Sequence, residues 1–252
     1  MIVQDLGDRI RCIDQHDHAL LSGVFAGFWR DPQSGERASS ELITATALHD
    51  MCWIAADKTP RFNPDSGRPY DFLSYPEGAK LSLYLDGIQA MEALHPWGAL
   101  LHALHFSSFA SPAHHPEFHA KISALIERYT QRCHREGWPL DDVEAELKRL
   151  RLFDVFSLLL CMTGPEIERP APPWLEDSPL LRAQGIRAYW EEGDFVMTPF
   201  YFTQPFDVSI VYRDVDTRVD GSVDYQALVN AGRFARRIRV RPPHDAARSE
   251  HP

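Results

Sequence analysis

The sequence predicts a mainly α chain with a small antiparallel sheet. A helical body over residues 14–164 carries a β portion made from both ends, residues 1–13 and 180–241. Three observations point there. Apolar residues recur at helical spacing from about residue 14 to residue 161. After the prolines crowded into 165–180, the pattern becomes short β-like runs. The hairpin-like start has no neighbour of its own and would be marginal alone, so pairing with the C-terminal strands is expected, giving an α+β chain.

Within residues 1–13, Ile2-Val3 and Ile10-Arg11-Cys12-Ile13 flank a turn-like Asp5-Leu6-Gly7-Asp8. Asp14 then suits the N-cap of a helix to about Trp29, with Leu20, Leu21, Val24, Phe25 and Phe28 at helical spacing. Asp31-Pro32-Gln33-Ser34-Gly35 breaks it. Ser40-Glu41 opens a second helix, expected to run through His49-Asp50 to about Ala56. Four prolines and Gly67 exclude one regular element over 57–76. Phe62, Tyr70, Phe72 and Tyr75 offer anchors there, so the segment reads as an ordered loop beside His49-Asp50.

Helices follow at about 77–93, 96–110 and 115–136, the last ending before Gly137-Trp138-Pro139. Asp141 or Asp142 caps an apolar helix through Cys161, stopped by Gly164-Pro165. Strands are expected at Ile186–Trp190, Phe195–Phe202, Val208–Tyr212 and Phe234–Val240, with a helical turn near Tyr225–Gly232. Residues 242–252 read as a disordered tail.

Composition narrows the function. The chain has 252 residues, 44% hydrophobic and 25% charged, which suits a single globular domain over 1–252. A net charge of −10 argues against general nucleic-acid binding. The basic cluster Arg233, Arg236, Arg237, Arg239 and Arg241 alternates as an exposed strand face does. No secretory signal and no bilayer-length apolar run is visible. The four cysteines form no C-x-x-C pair, and Cys52 and Cys161 read as core filler. A reduced cytoplasmic protein is expected, with a small-molecule partner, no nucleic acid and no membrane.

The chemistry-bearing residues are His16 and His18, the pair His49-Asp50, His102 and His105, and Asp154. They lie on separate predicted helices, so they converge only if those helices pack around one centre. Imidazole nitrogen and carboxylate oxygen are what a divalent metal recruits: Fe, Mn or Zn, as one ion or two. The metal set is His18, His49, Asp50, His102, His105 and Asp154; of His16 and His18, the latter precedes the apolar run. His102 and His105 share a helical face, and either suits the same ion or a second one bridged by Asp50. Asp154, between Phe153 and Val155 in an apolar helix, needs a partner or a metal if buried. Each residue also has an ordinary reading. A histidine on an apolar face is often a satisfied core residue, and Asp17 between two histidines suits a helix N-terminus.

This order resembles the HD-domain superfamily of metal-dependent phosphohydrolases, an all-helical fold. The resemblance implies an early His18, an adjacent His49-Asp50, a further His105 or His102, and a final Asp154. The chain also looks like a bacterial family of unknown function. That likeness rests on Gln15-His16-Asp17-His18-Ala19, His49-Asp50 with Trp53, Gly67-Arg68-Pro69-Tyr70-Asp71-Phe72 and Asp154-Val155-Phe156-Ser157-Leu158. The long aromatic loop and the terminal sheet are not general features of HD domains.

Hydrolysis of a small phosphomonoester or phosphodiester is the leading reading, with Asp50, His105 and Arg68 as catalytic candidates. An anionic substrate needs counter-charge, and Arg61 and Arg68 in the long loop are the candidates; surface solvation is the more ordinary reading of both. The resemblance implies a second reading, a di-iron oxygenase of HD type. A third is a non-catalytic binding or regulatory module. No glycine-rich phosphate loop is present. Cys52 with His49 lacks a nucleophile elbow, and Asp57 and Asp71 read as turn-forming residues.

Overall fold

A computed structural model describes residues 1–167 and 171–244. Of the predicted disordered tail, residues 245–252 lie outside the described residues, as do residues 168–170 of the proline-crowded segment. The chain opens with β1 (Ile2–Asp5) and β2 (Arg9–Ile13), paired so that Ile2 faces Ile13 and Asp5 faces Ile10. Helix α1 (Gln15–Phe28) follows. Asp14 stands at its N-cap position without capping it, because its carboxylate is engaged by Arg213. Asp57, from a distant helix, takes the Gln15 amide instead at 2.6 Å.

Helix α2 (Ser40–Ala47) is capped by the Ser39 hydroxyl, which accepts from the Leu42 amide at 3.1 Å. The expected continuation to Ala56 does not occur. In a continuing helix the Thr46 carbonyl would accept from the Asp50 amide; here it accepts from His49 Nδ1 at 2.7 Å. The chain turns over Leu48–Asp50, then makes a short 3₁₀ turn (Met51–Trp53) and α3 (Ile54–Lys58). His49 and Asp50 thus sit in a turn, not on a helix.

The loop that follows is ordered around two short strands, β3 (Phe62–Asn63) and β4 (Arg68–Pro69). Then come α4 (Glu77–Glu92), α5 (Pro96–Phe106), α6 (Pro116–Glu136) and α7 (Val143–Met162). Helix α5 stops four residues earlier than expected, with Ser107 and Ser108 hydroxyls donating back to the Leu104 and His105 carbonyls at 2.8 Å each. Asp142 precedes α7 without making a side-chain cap. Short helices α8 (Pro173–Glu176) and α9 (Pro179–Ala183) lead to β5 (Arg187–Glu191), β6 (Asp194–Thr198) and β7 (Phe206–Asp216). Helix α10 (Tyr225–Asn230) and β8 (Phe234–Arg241) complete the chain.

The fold class needs correction. The N-terminal hairpin does join the C-terminal strands, through β2 against β7. The result is a major six-stranded sheet in the order β1-β2-β7-β8-β6-β5, and the chain is α+β rather than mainly α with a small sheet. Nor is the sheet wholly antiparallel, since β6 and β8 run parallel. Sequence pattern understates the sheet because β7 is eleven residues long and ends in charge. Its Asp214 lies opposite Arg11 on β2, and Arg11 Nε and Nη2 donate to the Asp214 carboxylate at 2.8 and 2.9 Å. This cross-strand pair lets Asp214 occupy a strand position that propensity disfavours, while Arg213 beside it engages Asp14.

The layers meet through aromatic packing. Phe25 of α1 touches Phe156 of α7 and Phe206 of β7, with ring centroids 5.5 and 5.6 Å apart. Burying such a side chain contributes roughly 2–3 kcal/mol. Helix α1 also lies close against α2. A Cβ added to Gly23 would stand 2.5 Å from Ala47 Cβ, so only glycine permits this approach. That contact brings His18 on α1 up to the His49-Asp50 turn. No helix among the described residues is long and apolar enough to cross a membrane.

Candidate metal centre

His18 comes from the first turns of α1, His49 and Asp50 from the turn after α2, His105 from the end of α5, and Asp154 from the middle of α7. His18 and His49 are fully buried and Asp50 nearly so. Ligand atoms of His18, His49 and Asp154 all lie within 4.8 Å of one another, a group that could hold a metal ion. Asp50 Oδ2 is 3.0 Å from His18 Nε2 and 3.7 Å from His49 Nε2, while Asp154 Oδ1 is 3.5 Å from His49 Nε2. Two ligands about 2.1 Å from one ion are about 3.0 Å apart at a right angle and about 3.4 Å apart at the tetrahedral angle. The spacings of 3.0, 3.7 and 3.5 Å suit ligands around a common ion, while the His18–Asp154 contact of 3.9 Å is made through Nδ1.

Hydrogen bonding fixes where the protons lie. The Thr46 carbonyl can only accept, so His49 Nδ1 carries the proton and Nε2 is left with its lone pair. On the other ring, Ser157 Oγ lies 2.9 Å from the Asp154 carbonyl, 2.7 Å from Ser22 Oγ and 2.8 Å from His18 Nδ1; with its proton on the Asp154 carbonyl, it accepts from His18 Nδ1. His18 Nε2 then also presents a lone pair, toward Asp50. Two imidazole lone pairs and two carboxylates converge, and His49 Nε2 is buried without a hydrogen-bond partner. Such an assembly of acceptors demands a cation. A proton is the smallest one: burial opposes charge on His49, but Asp50 and Asp154 prevail and hold the imidazole up to about 9. The same attraction, working against burial, keeps both carboxyls below the usual carboxylate range. The back hydrogen bonds from Nδ1 to a carbonyl or hydroxyl are those that orient a metal-bound histidine.

The other candidates stand apart from this cluster to different degrees. His105 Nε2 is 3.9 Å from Asp154 Oδ2, its Nδ1 is unpartnered, and burial pushes it down to about 3. His102 Nε2 donates to the Ala45 carbonyl at 2.8 Å, serving an otherwise unbonded carbonyl at the end of α2. Its burial likewise pushes it down, to about 4. His16 makes none of these contacts. Arg68 donates to Asp5 and to the Gly221 carbonyl, beside a neighbouring cavity, and Arg61 lies over the Tyr75 ring. Cys52 has its thiol pushed well above the ordinary value by burial, which removes its nucleophilic form. Asp57 binds the Met1 amine and Gln15, and Asp71 accepts from the Ser74 amide in a turn.

His49, Asp50, His105 and Asp154 form part of the wall of a cavity of about 460 Å³. The wall also contains Arg151 and Lys80, neither anticipated from sequence. Arg151 was detectable in principle, lying three residues before Asp154 on the same helix face. Gln15, three before His18, donates to Asp50 Oδ2 at 3.0 Å and could have been found in the same way. Lys80 carries no comparable sequence signal.

Residues 1–217 match a family described as "Protein of unknown function (DUF3891)", and the chain belongs to that family. The matched range contains every residue of the centre. No curated protein and no solved structure matches the chain. The comparisons add nothing in support of the resemblance to HD domains.

Proposed function

We propose that this protein is a metal-dependent hydrolase of a small phosphate ester, with one divalent ion held by His18, His49, Asp50 and Asp154. The observation that carries the reading is the convergence of buried acceptors at a cavity whose wall also bears two cations. Fe, Mn or Zn would supply Lewis acidity toward a phosphoryl oxygen and a nucleophilic water at neutral pH. Asp50 would take the proton given up by the attacking water. His105, kept uncharged by burial, would hydrogen-bond the leaving oxygen through its ring N–H, and solvent would supply that oxygen's proton as the ester bond breaks. Arg151, rather than Arg61 or Arg68, supplies counter-charge, because it alone of the three lines this cavity.

The test is hydrolysis of 4-nitrophenyl phosphate and a panel of alkyl phosphomonoesters and diesters by protein loaded in turn with Mn²⁺, Fe²⁺ and Zn²⁺. Turnover is expected with at least one metal and is expected to fall by about 100-fold or more in Asp154→Asn, at unchanged circular dichroism. No turnover with any pairing of metal and ester refutes the proposal.

One observation favours the second reading, a di-iron oxygenase. Asp154 turns Oδ1 toward His49 and Oδ2 toward His105, as a carboxylate bridging two ions would. Two irons per chain with oxygen consumption support it; a single ion removes it.

A further inference from the structure

The proposed hydrolase reading leaves the substrate open, and the cavity wall narrows it. Arg151 uses only Nη2, which donates to the Leu104 carbonyl and to Ser108 Oγ at 3.1 Å each. Both acceptors are neutral. Among the described residues, Nε and Nη1 meet no hydrogen-bond partner, and no carboxylate oxygen lies within 4.0 Å of the guanidinium. Lys80 on α4 donates to the Phe72 carbonyl at 3.3 Å, and among the described residues no carboxylate oxygen lies within 4.0 Å of its ammonium. Burial lowers the pKa of both cations, outweighing the pull of Asp154 on Arg151 and of Glu77 and Asp71 on Lys80. A half-buried guanidinium with a free edge suits a planar or tetrahedral oxyanion.

The remaining wall is apolar and aromatic, including Trp53, Tyr84, Phe109 and Trp174. Phe109 and Trp174 are 47% and 46% exposed, so the described residues leave about half of each side chain uncovered. Phe109 packs edge-on to His105, with centroids 4.6 Å apart, which joins this aromatic surface to the metal centre. A cavity of about 460 Å³ is within the range that encloses small ligands.

We propose that the cavity binds an aryl phosphate, its dianionic head between Arg151, Lys80 and the metal centre and its ring against Phe109 and Trp174. Two cations and a divalent ion match a dianion better than a carboxylate, and the exposed rings match a flat apolar body. This inference rests on the reading of the cavity as a phosphate-ester site, but its test needs no turnover.

Phenylphosphonate and methylphosphonate, which resist hydrolysis, are titrated calorimetrically into the full chain, with benzoate as the carboxylate control. Phenylphosphonate is expected to bind about tenfold tighter than methylphosphonate or benzoate. Arg151→Gln is expected to weaken both phosphonates by about tenfold or more. Lys80→Gln, whose side chain makes one backbone hydrogen bond, gives a second variant that weakens both in the same direction. Trp174→Ala, at an exposed position, is expected to remove the advantage of the ring alone. Equal binding of the two phosphonates, benzoate binding as tightly as phenylphosphonate, or indifference to both charge variants overturns the inference. Tight phenylphosphonate binding without any esterase activity refutes the hydrolase and leaves the ligand class standing. Hydrolysis without a preference for aryl esters does the reverse.

Discussion

His102 is fully buried, and its Nε2–H serves the Ala45 carbonyl while Nδ1 meets nothing. Burial pushes its pKa down from 6.5 to about 4. A folded-state value below the unfolded one means that the unfolded chain binds the proton more readily. The stability tied to His102 is therefore fully present above about pH 6.5 and is lost as pH falls toward 4. Integrating between pH 7.5 and pH 5 gives a loss of about 2 kcal/mol, approaching ~3 kcal/mol once pH falls below the folded-state value. The perturbation is His102→Gln, which keeps a donor for Ala45 and cannot titrate. Urea unfolding of both proteins at pH 7.5, 6 and 5 is the assay. Wild type is expected to lose about 2 kcal/mol more than the variant across that range, with metal content equal in the two proteins at pH 7.5. Parallel pH profiles would refute the assignment of His102 as a buried, neutral, structural histidine, and loss of the metal in the variant would return it to the ligand set.

Other perturbations bear on the centre more directly. Gly23→Ala forces a methyl to within 2.5 Å of Ala47, so thermal unfolding should show a loss of about 1–3 kcal/mol together with weakened metal binding. A loss of stability with metal affinity intact would show that the α1–α2 approach does not set the position of His18. Ser157→Ala leaves His18 Nδ1 without its acceptor, and metal titration is expected to show about 10–100-fold weaker binding at near-wild-type secondary structure. Excess Mn²⁺ or Zn²⁺ at about 100 times its dissociation constant is expected to stabilise wild type by about 2.7 kcal/mol and to leave His49→Gln unmoved. An equal thermal shift in both proteins would place the ion elsewhere.

The centre was more legible than the fold. His49 and Asp50 stand out as an adjacent pair, His18 as the histidine before an apolar run and Asp154 as a carboxylate among apolar helical neighbours; the structure gathers ligand atoms of His18, His49 and Asp154 within 4.8 Å, with Asp50 3.0 Å from His18. Sequence spacing could not separate His102 from His105, since both are buried on one helix and differ only in what faces them. Nor did it show the break before His49, which depends on one side chain taking a backbone carbonyl. The sheet was underestimated for a non-local reason: the charged end of β7 is stabilised by Arg11, about two hundred residues earlier in the chain. Arg68 looked suitable for substrate because its loop leaves from the site, yet Asp5 and Gly221 hold it beside another cavity.

In the proposed centre His18, His49, Asp50 and Asp154 hold a divalent ion. Elemental analysis of protein purified without a histidine tag, beside His49→Gln and Asp154→Asn, tests it most directly. About one equivalent of Fe, Mn or Zn is expected in wild type and nearly none in either variant, with both variants folded. Wild-type protein that takes up no metal after incubation with each ion, or variants that retain it, would rule out this centre.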